Sequence, residues 1–505
     1  MKKYLYKIVC LFLLGLFLST GCTDKFEEIN TDPDNPKEVA IDNLLAWSIW
    51  HFSYRFHDRW FMLDEPGSFS GYTSKMAYID EAKYLFRANV QDNSWIYIYR
   101  TLLNLREIER RGAEGGRTNM ELAAKTLEIN LMQTATDRWR DVPYSDALRL
   151  NDEETILSAA YDRQEDIYPA LLNMAKEVGD AYAAGSDDEM GGDLLFDGDV
   201  SKWQKFVNSL RLRMAIRISE VSPTLARQHV EEILGNPDRY PLIDSNDDNA
   251  FFWWDGADPN YYEPIADAYR TRTTEFCASD LMVDHLNQRN DPRIGVYFTR
   301  TPSNAANNPA DPDYNDGNPL YRGYVIGASS DAVSRLYSIW NTRFGIDLGG
   351  FSPYFRAAEV QFHIAEAAML GYNTGGISAE DAYTQGVMLS MEENGISTAD
   401  AEAYLDGAGK FDNTKQKIWY EEWVAMFKQG MEGWSLYRRT NTPSNHYIAP
   451  GRANRYANHT VPPFRSPYPD RERTLNTDNN APFNAEVVDD FWGKQMWWDT
   501  RTDVH

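Results

Sequence analysis

Cysteine is scarce: Cys10, Cys22 and Cys277 are the three in a chain of 505 residues. With the first two in the N-terminal leader, one thiol is left for the body, and an internal disulfide framework is excluded. Cys277, in "TTEFCASDLM", reads as a small buried apolar residue rather than a nucleophile. Positive charge is also short. Fifty Lys and Arg face 76 Asp and Glu, and the net charge of −26 becomes −29 once Lys2, Lys3 and Lys7 leave with a signal segment. So acidic a body repels phosphate backbones and anionic headgroups, so no nucleic-acid partner is expected. Histidine is sparse, eight in all, with no HExxH pair. No G-x-S-x-G or phosphate-loop string occurs, and the serines of "GSFSG" (67–71) are out of register for a nucleophile elbow. Paired glycosidase carboxylates cannot be picked out among so many acids. The expectation is a protein that is not an enzyme, with a hydrolase as the lesser alternative.

Long apolar runs are missing beyond residue 18. Before it, Lys2, Lys3 and Lys7 precede the apolar stretch Ile8–Leu18, which is too short for the roughly 20 residues of a membrane-spanning helix and reads as an export signal. Ser19, Thr20 and Gly21 then lead into Cys22. A Cys after small residues resembles the lipobox of bacterial lipoproteins, whose thiol is acylated and becomes the new N-terminus; Ser19 stands where that motif usually has Leu. Acyl chains contribute about 0.8 kcal/mol per buried CH₂. The expectation is therefore a signal peptide at 1–21, a lipidated tether at 22–40 and a body at 41–505, anchored to a membrane through Cys22.

What the body does contain is helical spacing. Ile167, Leu171, Met174, Val178 and Ala181 recur at steps of four and three, as do Trp203, Val207, Leu210, Met214 and Ile218. Similar stripes predict four neighbouring pairs: 92–111 with 119–139, 163–183 with 200–220, 356–370 with 378–394, and 414–429 with 431–439. Helices that need a neighbour to cover their apolar face predict a helical-repeat scaffold over about 41–236 and 356–440, although no strict 34-residue period is readable. Between them, 237–355 is rich in Asn, Asp, Pro, Gly and aromatics. It reads as a loop-rich insertion with few short strands, the kind of region that carries function on a rigid support. A loop-rich tail follows at 441–505.

Within the insertion, "FFWWDGADPNYY" (251–262) sets six rings beside Asp255, Asp258 and Asn260. Flat rings with adjacent hydrogen-bonding groups suit the faces and hydroxyls of a sugar, and also an extended peptide. Trp253, Trp254, Tyr261, Tyr262 and Asp255 are the candidates here, with Tyr337 and Trp340 further on. Glu359, His363 and Glu366 share one helical face and could hold a divalent ion or form a plain hydrogen-bonded cluster. "DPDYNDGN" (311–318) alternates oxygen ligands but lacks the Gly and Glu of a full calcium loop. No cofactor is expected beyond a possible structural calcium.

Several stretches, in order along nearly the whole chain, resemble the SusD/RagB family of Bacteroidetes outer-membrane lipoproteins. These are "FEEINTDPDNP" after Cys22, "TDRWRDVPYSDAL" (136–148), "YDRQEDIYPALL" (161–172), "KWQKFVNSLRLRMAIRIS" (202–219) and "AAEVQFHIAEAAMLG" (357–371). "WVAMFKQGMEGWSLYRRTNTP" (423–443), "VPPFRSPYPDRERTLN" (461–476) and "WGKQMWWD" (492–499) complete the match. Arg140 stands where that family commonly has Gly, and Asp470 where Asn is more frequent. The resemblance implies a tetratricopeptide-like, mainly α body and a protein that holds oligosaccharide or peptide as the lid of a SusC-like TonB-dependent transporter. It also implies a place on the outer membrane, exposed at the cell surface, and ligand contacts from the early loops, here Trp60, Tyr72 and Tyr78; Arg55, Arg59 and Asp255 are the polar partners expected beside the rings. Trp95, Trp139, Trp203, Trp423 and Trp434, on helix and turn motifs, are expected in the core.

Overall fold

The computed structural model describes residues 39–149, 158–272, 274–302, 319–452, 456 and 458–505. Cys22, the signal segment, most of the tether and the acidic stretch 311–318 lie outside the described residues.

Helices carry the architecture. α1 (Ile41–Arg55), α2 (Ala88–Gly115), α3 (Thr118–Trp139), α4 (Gln164–Ala184), α5 (Val200–Arg217) and α6 (Pro223–Leu234) form the first run. α7 (Pro264–Thr271) and α8 (Asp280–Arg289) lie in the central insertion. α9 (Ala357–Met369), α10 (Ala379–Glu393), α11 (Thr398–Asp406), α12 (Lys415–Ala425) and α13 (Gly430–Thr440) follow. The four pairs predicted from spacing are all present. They stack in sequence: α2 on α3, α3 on α4, α4 on α5, then across the insertion α5 on α9, with α9 against α10 and α12. This is a mainly helical, tetratricopeptide-like scaffold. Among the described residues no helix is long and apolar enough to cross a membrane. Trp95, Trp139, Trp203, Trp423 and Trp434 are buried.

The insertion is less irregular than its composition suggests. α7 starts with Pro264 in its first turn, where the missing N–H costs nothing, and Glu263 caps Ala266 N. α8 starts from Ser279, whose hydroxyl caps Met282 N, and ends at Asn290 in a left-handed conformation. Each has at most ten residues, so its apolar stripe is too short to stand out from the surrounding loops. The strands are short antiparallel ribbons: β1 (Thr73–Lys75) with β3 (Phe276–Ala278), β2 (Ala250–Trp253) with β4 (Phe351–Phe355), and β5 (Val487–Val488) with β6 (Trp492–Gly493). Cys277 lies in β3, fully buried, and burial pushes its thiol well above the usual range.

Between α5, α9 and α13 the core is ionic. Arg213 donates to both oxygens of Glu359 at 2.6 and 2.8 Å, Arg217 bridges Asp137 and Glu432, and Arg439 grips Glu366 at 2.6 and 2.7 Å. His363 Nε2 lies 3.2 Å from Glu422. The Glu359–His363–Glu366 face is thus a buried ion-pair cluster, its carboxylates taken by guanidiniums. Among the described residues no three His, Cys, Asp or Glu side chains converge as metal ligands. Arg140 has φ 72°, a left-handed conformation that glycine adopts without cost, which explains why a Gly would fit this turn. Here hydrogen bonds compensate: Arg140 Nε donates to Gln495 O at 2.8 Å, and the guanidinium pairs with Asp141.

Candidate ligand-binding clefts

The strand β2 sorts the adjacent tryptophans by its two-residue period. Phe251 and Trp253 face one side, with Phe251 stacked on Phe351 at 4.6 Å and Trp253 at 5.3 Å from the same ring. Phe252 and Trp254 face the other, where Trp254 meets Phe252 at 4.8 Å and Tyr54 of α1 at 6.1 Å. Trp253 is 59% exposed, whereas Trp254 is buried and donates Nε1–H to Ser352 Oγ at 2.9 Å.

Three of the predicted contact residues are therefore corrected to core. Trp254 packs the ribbon onto α1. Tyr72 is fully buried, stacked on Trp423 at 5.7 Å with its hydroxyl donating to Trp423 O at 2.7 Å. Trp340 is buried against Phe427 at 4.5 Å. All three rings are buried, and Trp254 and Tyr72 spend their polar atoms on hydrogen bonds inside the protein. Tyr78 is 77% exposed on the loop after β1, and Tyr261 and Asp255 are exposed in the loop before α7. Tyr262 is half-buried under Arg270, and Asp255 turns its carboxylate back onto Ala257 N at 2.9 Å. Trp60 and Trp253 are not brought together. Each lines its own cleft.

The Trp60 cleft, about 330 Å³, lies among the end of α1, the turn 58–61, the start of α2 and α7. Asp58 starts the turn, its Oδ1 accepting Trp60 N at 2.8 Å and Phe61 N at 3.0 Å. Burial pushes the Asp58 carboxyl up to about 6 against the pull of those bonds. Arg59 lies over the Trp60 ring at 4.4 Å and is fixed from behind by Asp64 at 2.8 Å and Glu275 at 2.9 Å. Buried Lys75 ties those two carboxylates to Glu81. The turn itself sits tightly on the scaffold, because a Cβ at Gly67 or Gly430 would come within 2.2 or 2.5 Å of Met62 O. Arg55 is held differently. Its guanidinium lies between the rings of Tyr54 at 4.7 Å and Tyr97 at 4.4 Å. Among the described residues it has no carboxylate within ion-pair reach, and its buried Nε has no hydrogen-bond partner.. A charged, pre-aligned donor fork beside a tryptophan, with Asn89 and Asn93 on the wall, can hydrogen-bond hydroxyls while the ring takes an apolar face.

The Trp253 cleft, about 840 Å³, opens between β2, the 193–197 turn, Asn246–Asn249 and the end of α10. Its charge differs: five carboxylates meet only Lys202 and Arg343, while around Trp60 three arginines meet Asp58 and Asp267.

Tyr54, Tyr97, Asn89 and Asn93 were not singled out from sequence. Tyr97 does carry a signal: it is an aromatic residue off the stripe of Trp95, Tyr99 and Leu102, and in the fold it packs edge-on against His51 of α1 at 5.5 Å.

A family described as "Starch-binding associating with outer membrane" matches residues 39–469. No curated protein matches the sequence. Similar solved structures include one called a chitin-binding protein, at 24% identity and TM-score 0.78, covering 92% of this chain and 100% of that one. A chitin-binding SusD homolog from Flavobacterium johnsoniae shares 21% identity, with TM-score 0.75 and coverage of 92% and 99%. A SusD homolog from Bacteroides thetaiotaomicron shares 22%, with TM-score 0.74 and coverage of 92% and 100%. At these identities the likeness concerns the fold.

Proposed function

The chain belongs to the SusD-like family of outer-membrane-associated starch-binding proteins, and from that premise we propose that it captures oligosaccharide at the cell surface in the Trp60 cleft. The protein does not transform its cargo, and hands it to a SusC-like TonB-dependent transporter. Residues 1–21 serve as signal peptide, Cys22 carries the lipid, 22–40 form the tether and 41–505 one domain. The observation that carries the reading is Arg55, stacked between two tyrosines and, among the described residues, without a salt-bridge partner, in the same cleft as the Trp60 ring. The ring covers a C–H face of the sugar, and Arg55, Asn89 and Asn93 serve its hydroxyls. Two carboxylates of this cleft are already engaged: Asp58 by backbone N–H groups and Asp267 by Arg270. That supports binding over hydrolysis. The chitin-binding names of two structural neighbours support a glycan.

The test is calorimetric titration of the lipid-free mature protein with maltohexaose, chitohexaose and a mixed peptide pool, followed by chromatography of the recovered sugars. Saturable binding of an intact oligosaccharide, weakened by Trp60→Ala, is expected. Binding of peptides alone, or shortened sugars in the eluate, overturns the reading.

A further inference from the structure

We infer that the Trp253 cleft is a second, separate carbohydrate site, selective for uncharged oligosaccharide; this rests on the glycan reading above but on different residues. Trp253 is the first reason. A tryptophan 59% exposed removes little apolar area from water and is not needed to fill the core. Yet it is not loose. Its rear packs on Phe351 at 5.3 Å and on the edge of Phe251 at 6.2 Å, and both backing rings are buried. The indole is a fixed platform with its other side open. Such a surface loses little side-chain entropy on binding, which is what a stacking site needs.

The cleft itself is the second reason. At about 840 Å³ it lies in the range of small-molecule sites. Leu194, 49% exposed, stands on another wall and adds apolar contact. Around the platform, acceptors outnumber donors. Asp197 and the Asp247 carboxylate are exposed and, among the described residues, make no side-chain hydrogen bond or ion pair. Glu392 spends one oxygen on Asn246 Nδ2 at 2.9 Å. Lys202 is turned onto Asp247 O at 2.7 Å, and Arg343 onto Glu393 at 3.1 Å. Arg343 is thereby neutralised, and Lys202, bonded to a carbonyl, keeps its charge, so the carboxylates of the lining still outnumber the cations toward an incoming anion.

Free carboxylates beside a ring accept the hydroxyl and amide protons of a neutral sugar, and charge-assisted bonds of that kind are the stronger ones. The same carboxylates repel uronate and sulfate groups. The Trp60 cleft has the opposite balance of charge. The two clefts therefore differ in what they admit, and a chain of neutral sugar can occupy both.

The experiment uses the mature chain with chitopentaose, maltopentaose and penta-galacturonate in calorimetry, with circular dichroism and melting temperature as fold controls. Trp253→Ala, Trp60→Ala and the double variant are compared. The expected result is two pentasaccharides per protein, falling to one in each single variant and to none in the double, with penta-galacturonate unable to displace the equivalent that Trp60→Ala retains. A stoichiometry of one that Trp60→Ala alone abolishes overturns this inference and leaves the function proposed above standing. One equivalent lost only in Trp253→Ala keeps a carbohydrate site at Trp253 but overturns its being a second one, and removes the Trp60 site. Absence of any neutral glycan binding overturns both.

Discussion

Replacing Arg55 by Met separates the structural from the functional work of one side chain. In the folded protein Arg55 contributes two cation–π contacts, at 4.7 and 4.4 Å from the ring centroids of Tyr54 and Tyr97. At about 0.5–1 kcal/mol each for partly exposed contacts, their loss costs roughly 1–2 kcal/mol, partly regained by the Met side chain lying in the same slot. In a chain of this size that lowers the melting temperature by no more than a few degrees. Binding loses more. A hydrogen bond from a charged donor contributes about 1.5–3 kcal/mol, so oligosaccharide affinity should fall about 10–150-fold. Arg55→Lys keeps the charge but cannot lie flat between the rings or offer a fork, so its affinity should fall between the two. Isothermal titration at 50 and 300 mM salt measures this alongside thermal unfolding, and with an uncharged ligand the loss should not depend on salt. If Arg55→Met melts as calculated yet binds within twofold of the parent, the unpaired guanidinium is structural and the Trp60 cleft is misassigned.

Two further outcomes follow from other parts of the molecule. Trp254→Ala should lower unfolding stability by about 3–5 kcal/mol, read from the denaturant midpoint, because it empties a buried indole site and takes the Nε1–H donor from Ser352 Oγ, which keeps its bond to Ser53 O; the folded fraction should bind glycan as the parent does. Burial alone would raise the carboxyls of Glu432 and Glu366, but Arg213 and Arg217 on the first and Arg439 on the second outweigh it and hold both below the usual value of 4.5. Since the folded values are the depressed ones, the stability these pairs add is complete above pH 4.5 and is lost as the pH falls below it. Glu432→Gln should cost about 3–5 kcal/mol at pH 7 and flatten the acid limb of stability against pH; an unchanged acid slope would show that the pair is not the titrating element.

The scaffold was readable because its helices are long and one-sided. Ile167, Leu171 and Val178, one and two turns apart on the same face, end up buried on α4. Four such hairpins leave little freedom in how the body is built. The candidate clefts were less readable, for a reason seen in Trp253 and Trp254. Composition treats the neighbours alike, and what separates them is a strand four residues long whose partner lies about a hundred residues onward. The same holds for Tyr72 and Tyr78, one stacked on a tryptophan some 350 positions away and one 77% exposed. Long-range pairing decides exposure, and local periodicity does not carry it. Arg55 was noticed, but its clamp was not, because Tyr54 and Tyr97 come from two helices that meet only in the fold.

The two-faced strand at 250–253 carries one more consequence. Its odd-numbered rings meet solvent or the insertion, and its even-numbered neighbours meet α1. Inserting or deleting one residue just ahead of it would turn the whole segment over, drive a platform ring into the interior and expel a packing ring. If this edge holds sugar as proposed above, its cargo can change by point substitution and not by a change of length.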